Sequence, residues 1–238
     1  MLSARAARIW HFVLFAVVAA AFVIQLVLVL RGDTDINAAA GGEPTGTGTR
    51  VVNMFSYFTI QSNLLVLAAA ATLAAVPARD GRWWRVLRLD GLLGITITGI
   101  VYATVLAGNR SLEGIEVWLN AAFHFFCPCW TLLGWLLFGP RPRITWWVVG
   151  AAFAWPAAWV AYTLVRGAVT GWYPYPFLDV GDLGYPVALR NVGFVLVLAL
   201  AIAAILRYLD GRLPRAGAPP APASRPAAAD PGVRPGGA

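Results

Sequence analysis

The sequence predicts an all-α integral membrane protein. The expected form is a six-transmembrane-helix bundle, residues 1–210, with both termini cytoplasmic and a disordered tail over 211–238. Three observations carry this. The chain of 238 residues is 59% hydrophobic and 12% charged, with a mean hydropathy of +0.69. A soluble domain carries about 25% charge and about 45–50% apolar residues, so this chain has too few charges to clothe a water-facing surface. Its apolar residues fall in six runs, each followed or preceded by a short arginine-bearing gap. Finally, the arginines are unevenly divided between alternate gaps.

The six runs are Ile9–Leu30, Met54–Val76, Leu89–Ala107, Ile115–Phe138, Ile144–Val165 and Val187–Leu206, each 19 to 24 residues long. A hydrocarbon core of about 30 Å needs about 20 residues of helix, so each run is long enough to cross. The first run exceeds the apolar core of a cleavable signal peptide, and Arg31 follows it without a small-residue cleavage pattern. With both termini inside, thirteen arginines fall on the cytoplasmic side and five outside, the asymmetry of the positive-inside rule. All 18 basic residues are arginines. Their place in gaps between apolar runs accounts for the net charge of +7 without a nucleic-acid partner.

Two outer connections are long. Gly32–Val52 is rich in Gly and Thr and reads as a mobile loop. Arg166–Pro186 is dense in aromatics and prolines and reads as a cap at the membrane surface, with Trp172, Tyr173 and Tyr175 suited to the interface. The tail from Gly211 is rich in Pro, Ala and Gly without apolar periodicity. No internal repeat of the kind that builds inverted-repeat transporters stands out, and no pattern sets an oligomeric state.

Within the bilayer each polar side chain needs a partner, so the polar residues are the informative ones. Ser56, Thr59 and Asn63, at spacings of three and seven, share a helical face at the outer end of the second run, with Ser62 beside them. Asn120, His124, Cys127 and Thr131 share a face of the fourth. Interhelical hydrogen bonding explains such residues without chemistry. Yet Thr59 lies roughly 8–12 Å below the outer surface and His124 roughly 13 Å, so a hydroxyl and an imidazole reach matched depth. Such a pair can act as nucleophile and base, with Asn63 and Asn120 orienting the pair or binding an oxyanion. Pro128 frees a carbonyl near His124 and kinks the fourth helix. Thr98 and Tyr102 share a face of the third helix and can line the same cavity.

Other polar groups read as less informative. Asp90 and His11 belong at the cytoplasmic interface, and Cys127 and Cys129 in the core. Asp179 and Asp182 are either a third catalytic member or ordinary loop carboxylates. The two cysteines make no disulfide framework, and the chain has no metal-ligand cluster, phosphate-binding Gly loop or G-x-S-x-G elbow.

The order of these motifs resembles a family. Six helices, the string Phe58-Thr59-x-x-Ser62-Asn63, a His124 followed by Pro128, and YPYPFLD from Tyr173 to Asp179 are similar to the prokaryotic six-transmembrane relatives of the androgen-induced membrane hydrolases. The resemblance spans about Ile9 to Leu206. It implies a threonine hydrolase acting on fatty acid esters of hydroxy fatty acids, with Thr59 as nucleophile, His124 as base and no cofactor. Membrane lipids and a lipid-like substrate are the expected partners. The competing expectation is a non-enzymatic membrane protein: a lipid- or small-molecule-binding module, or a transporter-like protein. Against ion-coupled transport, no carboxylate or arginine stands in mid-span.

Overall fold

The computed structural model describes residues 3–33, 35–37, 46–108 and 111–214. Among these it is all-helical, and six helices are long and apolar enough to cross a membrane: Ala4–Arg31, Phe58–Ala75, Arg82–Leu106, Ile115–Phe138, Trp146–Thr170 and Val180–Arg212. They are called the first to sixth spans below. Most of the expected tail, residues 215–238, and parts of the Gly32–Val52 loop lie outside the described residues.

The spans exceed the apolar runs wherever a local signal extends the helix. Ser3 caps the first span, its hydroxyl accepting the Ala6 N–H at 3.1 Å, and Gly32 ends it in the left-handed region at φ 92. The third span begins seven residues before the expected Leu89, at Arg82. Asp90 is buried within that helix. His11 is likewise buried, at 2% exposure. The sixth span starts at Val180, where Asp179 accepts the Gly181 and Asp182 N–H groups. Asp179 thus caps the sixth span, and the expected Arg166–Pro186 cap shrinks to the segment 171–179 between the fifth and sixth spans.

The second run is not one helix. A short helix, Thr47–Ser56, precedes the span, and the chain turns extended at Tyr57 (φ −67, ψ 131). The helical part of the Gly32–Val52 segment is held by Arg50, whose Nε donates to the Val29 carbonyl at 3.1 Å.

Two spans contain wide π-helical turns: Tyr102–Leu106 ends the third, and Ala122–Phe126 interrupts the fourth. The second has a direct cause. Pro128 offers no N–H and its ring crowds the carbonyl four residues earlier, at His124. The helix widens there, with the Cys127 N–H reaching back five residues to Ala122. Cys127 is buried and Cys129, two residues on around the helix, is exposed, so only Cys127 is a core cysteine.

The second and third spans form the centre. Small residues let them approach: a Cβ on Gly91 would sit 3.5 Å from the Leu65–Val66 backbone, and one on Gly94 would meet Ser62 Oγ and the Trp155 ring at 2.9 Å. The first span packs on the second and fourth, and the third receives the fourth, fifth and sixth.

At one end of the bundle, charges tie the connections together. Asp80 accepts from Arg85 at 2.6 and 2.7 Å and lies 3.3 Å from Arg143 Nε. Asp210 accepts the Arg143 and Ile144 backbone N–H groups at 2.6 and 2.7 Å. Arg141 donates to the Trp135 and Leu136 carbonyls that end the fourth span. The cap segment sits at the opposite end.

Candidate functional site

The break at Tyr57 leaves the first turn of the second span without a cap from its own N-cap side chain. Its orphan N–H groups need other acceptors. Tyr175, from the cap segment, supplies one: its hydroxyl accepts the Thr59 N–H at 3.1 Å and lies 3.2 Å from Thr59 Oγ1. Aromatic packing fixes the phenol. Its ring stacks on Phe177 at 5.3 Å and abuts Tyr57 and Trp159. Burial pushes the Tyr175 phenol up to about 12, against the opposing pull of its hydrogen bonds to Thr59. It therefore keeps its proton at neutral pH. With the oxygen accepting from the Thr59 N–H, that single proton is free to point at Thr59 Oγ1.

Thr59 and Tyr175 open onto a cavity of about 480 Å³. The second span contributes Phe58 and Thr59, the third Ile97 and Thr98, the fifth Pro156 and Trp159, the sixth Val195 and Leu196. Among the described residues, no Asp, Glu, Arg or His lines it. Leu196 lines the cavity and is itself half exposed.

The remaining expected site residues divide. Asn63 donates through Nδ2 to the Thr59 carbonyl at 2.8 Å and to the Phe123 carbonyl at 3.5 Å, joining the second span to the fourth beside His124. Asn63 Oδ1, Ser62 Oγ and Asn120 Oδ1 are buried without hydrogen-bond partners. Ser56 does not share the Thr59 face, because the break at Tyr57 puts it on a separate helix. Its hydroxyl contacts the Val52 carbonyl at 2.6 Å and Tyr162 at 2.7 Å, and receives Arg166 at 3.3 Å. Arg166 also donates to Asn53 and lies over the Trp172 ring at 4.4 Å.

His124 sits where the two π-turns meet. Its ring stacks on Tyr102 at 3.9 Å, and its Nδ1 is buried with no hydrogen-bond partner. Neither His124 nor Tyr102 lines the cavity, whereas Thr98 does. The partner of the Thr59 hydroxyl in this state is Tyr175.

Sequence reasoning placed Tyr175 at the membrane interface and missed its role. Its only signal was position within the YPYPFLD string, since nothing local shows that a loop tyrosine reaches a helix start 116 residues away. Among the described residues no group of three or more His, Cys, Asp and Glu side chains gathers to hold a metal ion. Comparison with protein-family models, curated proteins and solved structures finds no match to this chain.

Proposed function

We propose that this protein is an integral-membrane hydrolase of lipid-like esters, with Thr59 as nucleophile and His124 as base. One observation carries the reading: a buried threonine, its hydroxyl held by a tyrosine, lines an apolar cavity. Thr59 Oγ1 attacks the ester carbonyl carbon. The hydroxyl proton passes to His124 and from there to the departing alcohol oxygen, and water then splits the acyl-threonine. This route needs the Thr59 hydroxyl to exchange its Tyr175 contact for a path to the imidazole. Catalytic contacts commonly tighten in this way only once substrate is bound. The chain's own groups suffice for these steps, and no cofactor enters them.

Membrane lipids are the surroundings and the substrate source in this reading, with access through the side of the bundle near Leu196. A cell-membrane setting with cytoplasmic termini is supported by the arginines gathered at the Asp80 end, among them Arg85, Arg141, Arg143 and Arg207. Labelling of single cysteines at positions 80 and 173 by an impermeant reagent in intact cells tests it, with only the second expected to react.

A second reading, binding of a lipid-like molecule without turnover, is favoured by the engagement of His124 with Tyr102 away from the cavity lining. Ester hydrolysis by the purified protein in nanodiscs separates the two. The hydrolase reading expects turnover in the wild type, loss in Thr59→Ala and His124→Ala, and partial retention in Thr59→Ser. Turnover that survives in Thr59→Ala removes the nucleophile. Saturable ligand binding without any turnover selects the second reading.

A further inference from the structure

Threonines in apolar helices ordinarily satisfy their hydroxyl by bonding back to a carbonyl of the preceding turn. Thr72, Thr96 and Thr104 do so here, donating to the Ala69, Leu92 and Ile100 carbonyls at 2.8, 2.6 and 2.7 Å. Thr98 does not. It is 5% exposed, and its Oγ1 is buried with no hydrogen-bond partner. Thr163 shares that condition but lies outside the cavity, whereas Thr98 lines it. An unmade hydrogen bond in an apolar surround is costly, and Thr98 stands in the wall of a space bounded also by Ile97, Trp159 and Val195.

The cavity also limits what its occupant can carry. Among the described residues no ionised side chain lines it, so a carboxylate or phosphate drawn inside would lose its water without gaining a counter-charge. The Thr59–Tyr175 pair and Thr98 offer hydroxyls alone. Thr98 stands about 12 Å along the helix from Leu106, the cap-side end of the third span, which is deep enough for the occupant's chain to lie among apolar side chains on either side.

We propose that the cavity binds a neutral, single-chain, oxygen-bearing lipid, and that Thr98 in its wall selects it by turning its unpartnered hydroxyl to donate to that oxygen. The proposal deepens the hydrolase reading by naming the ligand, and it concerns binding, so it can be tested without turnover. A long-chain methyl ketone is a suitable probe: it is neutral, carries one carbonyl and cannot be hydrolysed.

The experiment measures saturable binding of the tritiated ketone to the full-length protein in nanodiscs. Competitors are the alkane of equal chain length and the fatty carboxylate of equal length at a pH where it is ionised. The wild type is expected to bind the ketone and to be competed at least about tenfold more weakly by the carboxylate. Thr98→Val keeps the shape of the side chain and removes the donor. It is expected to weaken ketone binding about tenfold while leaving competition by the alkane unchanged, and Thr98→Ser is expected to restore most of the loss. Equal ketone affinity in wild type and Thr98→Val overturns the proposal, as does equal competition by carboxylate, or absence of saturable binding to the wild type. Ketone binding that depends on Thr98, in a protein that hydrolyses no ester, upholds this proposal and removes the hydrolase reading alone.

Discussion

The two ends of the bundle use polar residues in opposite ways. At the Asp80 end, carboxylates and arginines stitch connections to helix ends: Asp210 holds two backbone N–H groups, Arg141 takes two carbonyls, and Asp80 joins Arg85 to Arg143. Around the cavity, toward the cap end, the groups are uncharged, buried and only partly satisfied. Thr98, Ser62, Asn63 and His124 each keep an atom without a partner, around or beside an apolar space. The first arrangement closes the fold, although Arg88, Asp90 and His11 toward that end also keep buried atoms without partners. The second leaves hydrogen-bonding capacity open beside an apolar cavity. Unsatisfied buried groups in a native protein call for an explanation, and a bound ligand is the explanation this geometry favours.

That contrast can be broken by substitution at either end. The largest effect belongs to Thr59→Ala, expected to lower ester turnover at least about a thousandfold, the scale of losing a nucleophile, with the melting temperature changed little. Next is Asp210→Ala, outside the cavity. It strands two N–H groups and should reduce stability by about 2–3 kcal/mol, read as a lower melting temperature, without altering kcat of the folded fraction. Tyr175→Phe keeps the ring stack and removes the hydroxyl. Turnover should fall about tenfold, with stability lowered by about 1 kcal/mol. A loss of stability without a change in kcat would move Tyr175 to the structural side of the comparison.

The smallest effect is a pH dependence at the Asp80 end. The Arg85 hydrogen bond holds the Asp80 carboxyl down to about 2, below the unfolded value of about 3.9. The stabilisation is fully present above about pH 4 and is lost as pH falls through about 2. Asp80 is 35% exposed, so solvent screening keeps the contribution below about 1 kcal/mol. Comparing the acid limb of the melting-temperature profile for wild type and Asp80→Asn checks it.

Particular residues show what was legible in the chain. Six helices could be read because hydrocarbon thickness imposes a length and composition on each. The fourth span, Ile115–Phe138, matches its expected bounds. Ends set by caps, such as Ser3 and Asp179, lay beyond the apolar signal and came out short. The Thr59–Asn63 pair was readable from its spacing, and Asn63 does reach the fourth span. Ser56 was misassigned because a single extended residue, Tyr57, rotates everything before it off that face. Tyr175 and the free hydroxyl of Thr98 were not legible as a site, since both depend on tertiary placement. Pro128 did announce a local disturbance at His124, and the wide turn it produces faces the other wide turn, at Tyr102.

The most direct test of the nucleophile is chemical. Purified protein in nanodiscs, treated with a lipid-tailed fluorophosphonate, would be digested and the adduct located by mass spectrometry. The account predicts one adduct, on Thr59, absent from Thr59→Ala and retained on Thr59→Ser. An adduct on another residue, or labelling of Thr59→Ala to the wild-type extent, would contradict it.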